Sequence, residues 1–170
     1  EEPTWWNPGP QEQSESFVTT LKEQGGTLVQ LGRVGGLGKG ERVYAVRFSG
    51  DTGYVVTFRQ VDPLYTLDLS KPSRPAVLGE LKIQGYSAYL HPLAGNLLLG
   101  IGQDASEDGR VRGTQLSLFD VSDPAAPERL ANAVIPQSRS EAEFDHHAFL
   151  WWDAMKLAFA EMPQNRPGYV

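Results

Sequence analysis

Two stretches of the chain hold side chains that could do chemistry. The loop Asp104-Ala105-Ser106-Glu107-Asp108-Gly109 sets oxygen donors at alternate positions ahead of a glycine. In this D-x-[DNS]-x-[DN]-G spacing Asp104, Ser106 and Asp108 converge on a hard cation, and the glycine permits the sharp turn, so the cofactor such a loop would take is Ca2+. Arg112 and Gln115 stand at the ninth and twelfth positions, where an oxygen ligand and a bidentate glutamate would help. A solvated acidic hairpin tip is the competing reading.

The second stretch is Asp145-His146-His147. On a strand, the adjacent imidazoles point to opposite faces and cannot share a metal, and Asp145 with His146 is expected to form a structural hydrogen-bonded pair. General-base work would need a nucleophile, and no G-x-S-x-G elbow is present. His91, which precedes Pro92, is placed in a turn. The pair Trp151-Trp152, placed in a turn after a strand, is hard to bury entirely and is the candidate interaction patch.

Composition removes several function classes. The net charge is -6, with 21 acidic against 15 basic residues and no basic run, so the electrostatic footprint for a phosphate backbone is missing and nucleic acid is not expected as a partner. No stretch approaches the run of about 18 apolar residues that suggests a membrane span. With no cysteine, the sequence has no disulfides, zinc-thiolate sites or thiol nucleophiles. The glycine-rich segment 32–41 lacks Walker spacing and leads into a strand pattern rather than a helix, so it reads as a blade-to-blade connection.

The elements that would position these residues are short strands. Residues 1–15, with three prolines and the Trp5-Trp6 pair, read as an irregular arm. A strand over 16–21, a Gly25-Gly26 turn and a strand over 27–31 follow. From Arg42 the rhythm is regular, with strands at 43–48, 54–58, 64–69 and 76–83 joined by turn chemistry such as Ser49-Gly50-Asp51-Thr52-Gly53.

The unit recurs. Leu64-Tyr-Thr-Leu-Asp-Leu-Ser-Lys-Pro-Ser-Arg-Pro75 returns 52 residues later as Leu116-Ser-Leu-Phe-Asp-Val-Ser-Asp-Pro-Ala-Ala-Pro127, with the Asp, the Ser and both prolines in register. The preceding hairpin, from Phe48 to Tyr54, corresponds to Leu90–Asn96 and more loosely to Leu150–Lys156. Four strands per period of about 40–60 residues is the pattern of propeller blades, because one twisted sheet cannot bury both faces alone. The fold class is therefore all-β, part of a β-propeller, with about two complete four-stranded blades and a partial third. Its units are drawn at about 16–83, 84–135 and 140–170. Asp68 and Asp120 are expected to form the turns between third and fourth strands by bonding the backbone two residues on. Closed propellers need about four to eight blades, so the remaining blades are expected from the same polypeptide or another chain.

The run Glu41–Pro92, together with LLGIGQD (98–104), LSLFDVSDPAAP (116–127) and FDHHAFL (144–150), resembles the C-terminal β-propeller domain family of secreted prokaryotic proteins, distantly similar to WD40 repeats. The chain departs from the family at His147, where Asp-His-Lys-Ala-Phe is usual, and in the glycine-rich entry before Glu41. The resemblance implies a propeller with further blades and an extracellular or cell-envelope location. Three functions fit: a binding or scaffolding module, a surface adhesion protein stiffened by calcium, or an enzyme with a channel site using Asp145, His146 and Arg59.

Overall fold

The computed structural model describes residues 14–58, 62–106 and 110–162. The arm with Trp5 and Trp6, Arg59, and Asp108 of the acidic loop lie outside them. Twelve strands follow in chain order: β1 (Ser16–Gln24), β2 (Thr27–Leu37), β3 (Arg42–Ser49), β4 (Thr52–Phe58), β5 (Asp62–Asp68), β6 (Ala76–Ile83), β7 (Tyr86–Leu93), β8 (Leu97–Ala105), β9 (Val111–Asp120), β10 (Glu128–Pro136), β11 (Phe149–Trp152) and β12 (Leu157–Ala160). Two four-stranded antiparallel meanders, β3-β4-β5-β6 and β7-β8-β9-β10, are flanked by the two-stranded sheets β1-β2 and β11-β12.

Local chemistry sets the turns. Gly25 and Gly26 both take positive φ, which the two-residue hairpin between β1 and β2 requires. At the corners after β5 and β9, Asp68 and Asp120 each accept a backbone N–H from the serine two residues on, Ser70 and Ser122, at 2.8 Å. Hydrogen bonding from the Ser70 hydroxyl and N–H to Asp68, and from the Ser122 N–H and hydroxyl to Asp120, holds both carboxyls below the usual aspartate range.

The ladders revise two sequence readings. The unit drawn over 16–83 divides: among the described residues β1 and β2 pair only with each other, and the first four-stranded blade covers 42–83. Hairpin register also shifts, because Val46 opposite Val55 is matched by Leu90 opposite Gly100 and by Phe149 opposite Ala160, not by Phe48 and Leu150.

A repeated joint shows what β1-β2 is. Thr20, paired with Gly32, shares its hydroxyl between Gly32 O at 3.2 Å and Pro72 O at 2.5 Å in the next blade's corner. Thr66, paired with Gly79, does the same with Gly79 O and Pro124 O. Each glycine lets the following corner sit against the strand, since a Cβ on Gly32 or Gly79 would lie 2.5 Å from Pro72 O or Pro124 O. So β1-β2 is equivalent to β5-β6, the outer half of a preceding blade. By the same ladders β11-β12 is the inner half of a following one.

Apolar side chains fill the spaces between these layers. Ala45, Tyr54, Val56, Leu64 and Ile83 of the first blade meet Leu90, Leu98, Phe119 and Val121 of the second. Leu37 with Val55, Tyr65 and Leu67 seals β2 to the first blade, and Ile101 with Ala142 and Phe149 starts the third interface. Inner strands β3 and β7 also lie side by side, with Arg47 Nε donating to Leu90 O at 2.8 Å.

Both end faces are left open. Val46 is 46% exposed where its counterpart Leu90 is 1% exposed, and Ile135 is 39% exposed where Ile83 is 6%. Among the described residues, nothing supplies the inner half of the blade that would cover Val46 or the outer half that would cover Ile135.

Candidate functional site

Antiparallel order brings the linker 84–85, the facing ends of β8 and β9 at Ser106 and Arg110, and the segment 137–148 to one rim and the Asp corners to the other. The two chemically interesting stretches therefore share a rim. Asp104, at the end of β8, is buried and held in a fork by Arg112 across the hairpin, with Nε to Oδ2 at 2.6 Å and Nη2 to Oδ1 at 3.1 Å. Ser106 Oγ accepts the Arg110 N–H at 3.2 Å. A calcium ion bound through Asp104, Ser106 and Asp108 would compete with the Arg112 guanidinium for the Asp104 carboxylate.

The segment 137–148 crosses from β10 to β11 in two short 3-10 helices, Glu141–Glu143 and His146–Ala148. Ser140 and Glu143 form a capping box, and Glu143 also accepts Nε2 of the buried Gln103. This turn overturns the strand reading of the histidines. Their rings lie 4.0 Å apart between centroids, on the same side of the chain.

The pairing differs from the expectation as well. Asp145 caps the second turn by accepting the His147 N–H at 2.9 Å, and its partner ring is His147, with Nδ1 at 2.9 Å, rather than His146. Those two bonds hold the Asp145 carboxyl below the usual range. In the tautomer that gives Nδ1–H to the carboxylate, Nε2 of His147 is the acceptor. Donor atoms of Asp145, His146 and His147 all fall within 4.8 Å of one another on an exposed surface. Imidazoles with a carboxylate suit zinc, nickel or copper better than calcium. An Asp–His pair also orients an imidazole as general-base work requires.

His91 is corrected too. It lies within β7 opposite Leu99, half-buried beside Tyr89, Phe149 and Trp151, and burial followed by the nearby Arg47 charge lowers its pKa below the ordinary value of 6.5. The tryptophans are in β11, not in a turn, and they part company. Trp151 packs on the third interface and donates Nε1 to Asp153 Oδ1 at 3.2 Å, whereas Trp152 is exposed.

Sequence reasoning missed a further feature, a crevice of about 480 Å³ on the second blade near the same rim, lined by Gln84, Asp104, Arg112, Gln115, Arg129, Asn132, Val134 and Pro136. Beside two of these residues, Gln115 and Asn132, the repeat changes, with Ser117 at the position of Tyr65.

Radial four-stranded sheets with repeated joints and adjacent inner strands define a section of a β-propeller. The model of the beta propeller domain family matches residues 3–168, and the chain belongs to that family. An uncharacterized protein of Methanocaldococcus jannaschii is 46% identical over 140 residues, covering 82% of this chain and 21% of the relative. An uncharacterized protein of Archaeoglobus fulgidus is 44% identical over 143 residues, covering 84% of this chain and 22% of the relative. The chain thus spans about a fifth of the length of these curated relatives. No solved structure gives a significant match. Among the described residues no helix is long and apolar enough to cross a membrane.

Proposed function

We propose that the chain is a section of an extracellular or cell-envelope propeller that serves as a binding and scaffolding module. The observation that carries this reading is where the sequence repeats and where it varies. The Thr–Gly–Pro joint recurs in matching form at Thr20/Gly32/Pro72 and Thr66/Gly79/Pro124, so it holds the blades rigidly in register. By contrast, the sequences 106–110 and 137–148 have no common pattern, and the rim segment 137–148 displays exposed Asp145, His146 and His147. Binding proteins divide labour this way, with rigid strands as frame and loops as recognition surface. An outside location is supported only by the resemblance to secreted propellers.

The test uses the full-length protein. Binding to envelope fractions of the cells that make it, measured by surface plasmon resonance, should disappear when 106–110 and 144–147 are replaced by Gly-Ser segments, with the melting temperature little changed. Protease added to intact cells should cleave the protein. Undiminished binding by the replaced loops would overturn the recognition role, and full protection in intact cells would overturn the location.

A further inference from the structure

We infer that the crevice on the second blade is a binding site for a single carboxylate group. It lies on the face turned toward the first blade and shares Asp104 and Arg112 with the rim described above. Its lining includes none of the residues 106–110 or 144–147 whose replacement tests the proposed function, so the two readings stand or fall separately.

Beside the crevice the repeat departs from itself. In the first blade, the Tyr65 ring fills this level and its hydroxyl accepts the Gly38 N–H of the incoming linker at 3.2 Å. Ser117 takes that place in the second blade, and the aromatic ring moves two residues along the strand, to Phe119 where the first blade has Leu67. Phe119 packs over Gly100, the partner of Ser117 across the ladder. The polar side chains that flank Ser117, Gln115 two residues before it and Asn132 across the ladder, line the crevice. Gln115 takes over the tether to the linker, with Nε2 donating to Gln84 O at 3.2 Å and to Ser117 Oγ at 3.3 Å.

Charge selects the ligand. Arg112 is neutralised by Asp104, so its guanidinium is already satisfied. Arg129 reaches the crevice from β10, and its Nη1 is shielded from solvent and has no hydrogen-bond partner among the described residues. Valine stands at the equivalent position of the first blade, Val77, so the charge is not part of the blade plan. A shielded guanidinium N–H with no acceptor is costly, and a guanidinium fork matches a carboxylate in geometry and charge. One uncompensated positive charge calls for one negative charge. The amides of Gln84 and Asn132 on the walls suit hydroxyl or amide groups on the rest of the ligand. The volume fits a small molecule or one acidic peptide end.

Isothermal titration of the full-length protein with D-glucuronate, with the peptide acetyl-Gly-Gly bearing a free C-terminus, and with inorganic phosphate tests this. One of the two carboxylates should bind, and which one distinguishes a sugar acid from a peptide end. Arg129→Gln should weaken binding by about 10–100-fold, the loss expected for a charge-assisted hydrogen bond. Ser117→Tyr, which rebuilds the first blade's filling, should block binding while leaving the melting temperature equal or higher. Lys82→Gln, on an exposed side chain, should change nothing. The inference is overturned if neither carboxylate binds at 10 mM, a deliberately generous limit of about 2.7 kcal/mol. It is overturned equally if phosphate binds better, or if a folded Ser117→Tyr protein binds as well as the natural one.

Discussion

The joint between blades can be tested at a single methyl group. In an ordinary strand, Gly→Ala stabilises by about 0.5–1 kcal/mol, because alanine has less conformational freedom to lose. Gly79 should do the reverse. A Cβ there would sit 2.5 Å from Pro124 O and 2.8 Å from Ala125 O, both backbone atoms of the next blade's corner. Ordinary contact is about 3.5 Å, so the blades must part by about 1 Å, and a gap of that size forfeits up to about half of each dispersion well it crosses. Thr66 would also lose its reach to Pro124 O. Overpacking of this kind costs about 1–3 kcal/mol. In the full-length protein, Gly79→Ala should therefore lower the melting temperature by about 2–4 °C per kcal/mol for a cooperative unit of some 200 residues. Gly32→Ala, against Pro72 O, should behave alike. Ala131 stands at the same place in the second blade, paired with Leu118 instead of a threonine. Ala131→Gly should cost no more than the usual propensity loss. A Gly79→Ala protein as stable as the natural one would refute the joint.

Two other perturbations follow from the rim and the inner strands. His91 is held neutral by burial and by Arg47, so its folded pKa lies below the unfolded value near 6.5. Its share of stability is complete above pH 6.5 and is lost as pH falls through the lowered folded value; the melting temperature should drop between pH 7.5 and 5.5, and His91→Gln should flatten that slope. Removing Arg112 leaves the Asp104 carboxylate buried without its partner, so Arg112→Ala should destabilise by about 1–3 kcal/mol in urea titration. Millimolar calcium should then raise the melting temperature more in that variant than in the natural protein. No rise in either would dispose of calcium at Asp104, Ser106 and Asp108.

Features fixed by neighbouring residues were legible in the sequence. The Gly25-Gly26 hairpin and the Asp68 and Asp120 corners need only a positive φ or a carboxylate two residues from a serine N–H. Blade boundaries depend instead on which strands meet across the chain, and β1-β2 could be assigned to a preceding blade only once Thr20 was seen on Pro72. Pro92 suggested a turn at His91, yet β7 is the edge of its sheet, where a missing N–H breaks no ladder bond. The histidines were misplaced because a capping box at Ser140 and Glu143 and a cap at Asp145 draw the chain into 3-10 turns. That S-x-x-E signal was present in the sequence. Nothing local marks the crevice, whose lining comes from the 84–85 linker and three different strands, with the Arg129 guanidinium arriving from β10.

The central claim is that these two blades belong inside a larger ring that covers both of their open faces. This chain has no cysteine, so single introduced thiols report directly on cover. In a full-length protein otherwise freed of cysteine, Val46→Cys and Ile135→Cys should resist maleimide labelling as well as Leu90→Cys and Ile83→Cys do, while Leu28→Cys, on an exposed side chain, labels freely. Labelling of positions 46 and 135 at the rate of position 28 would contradict it.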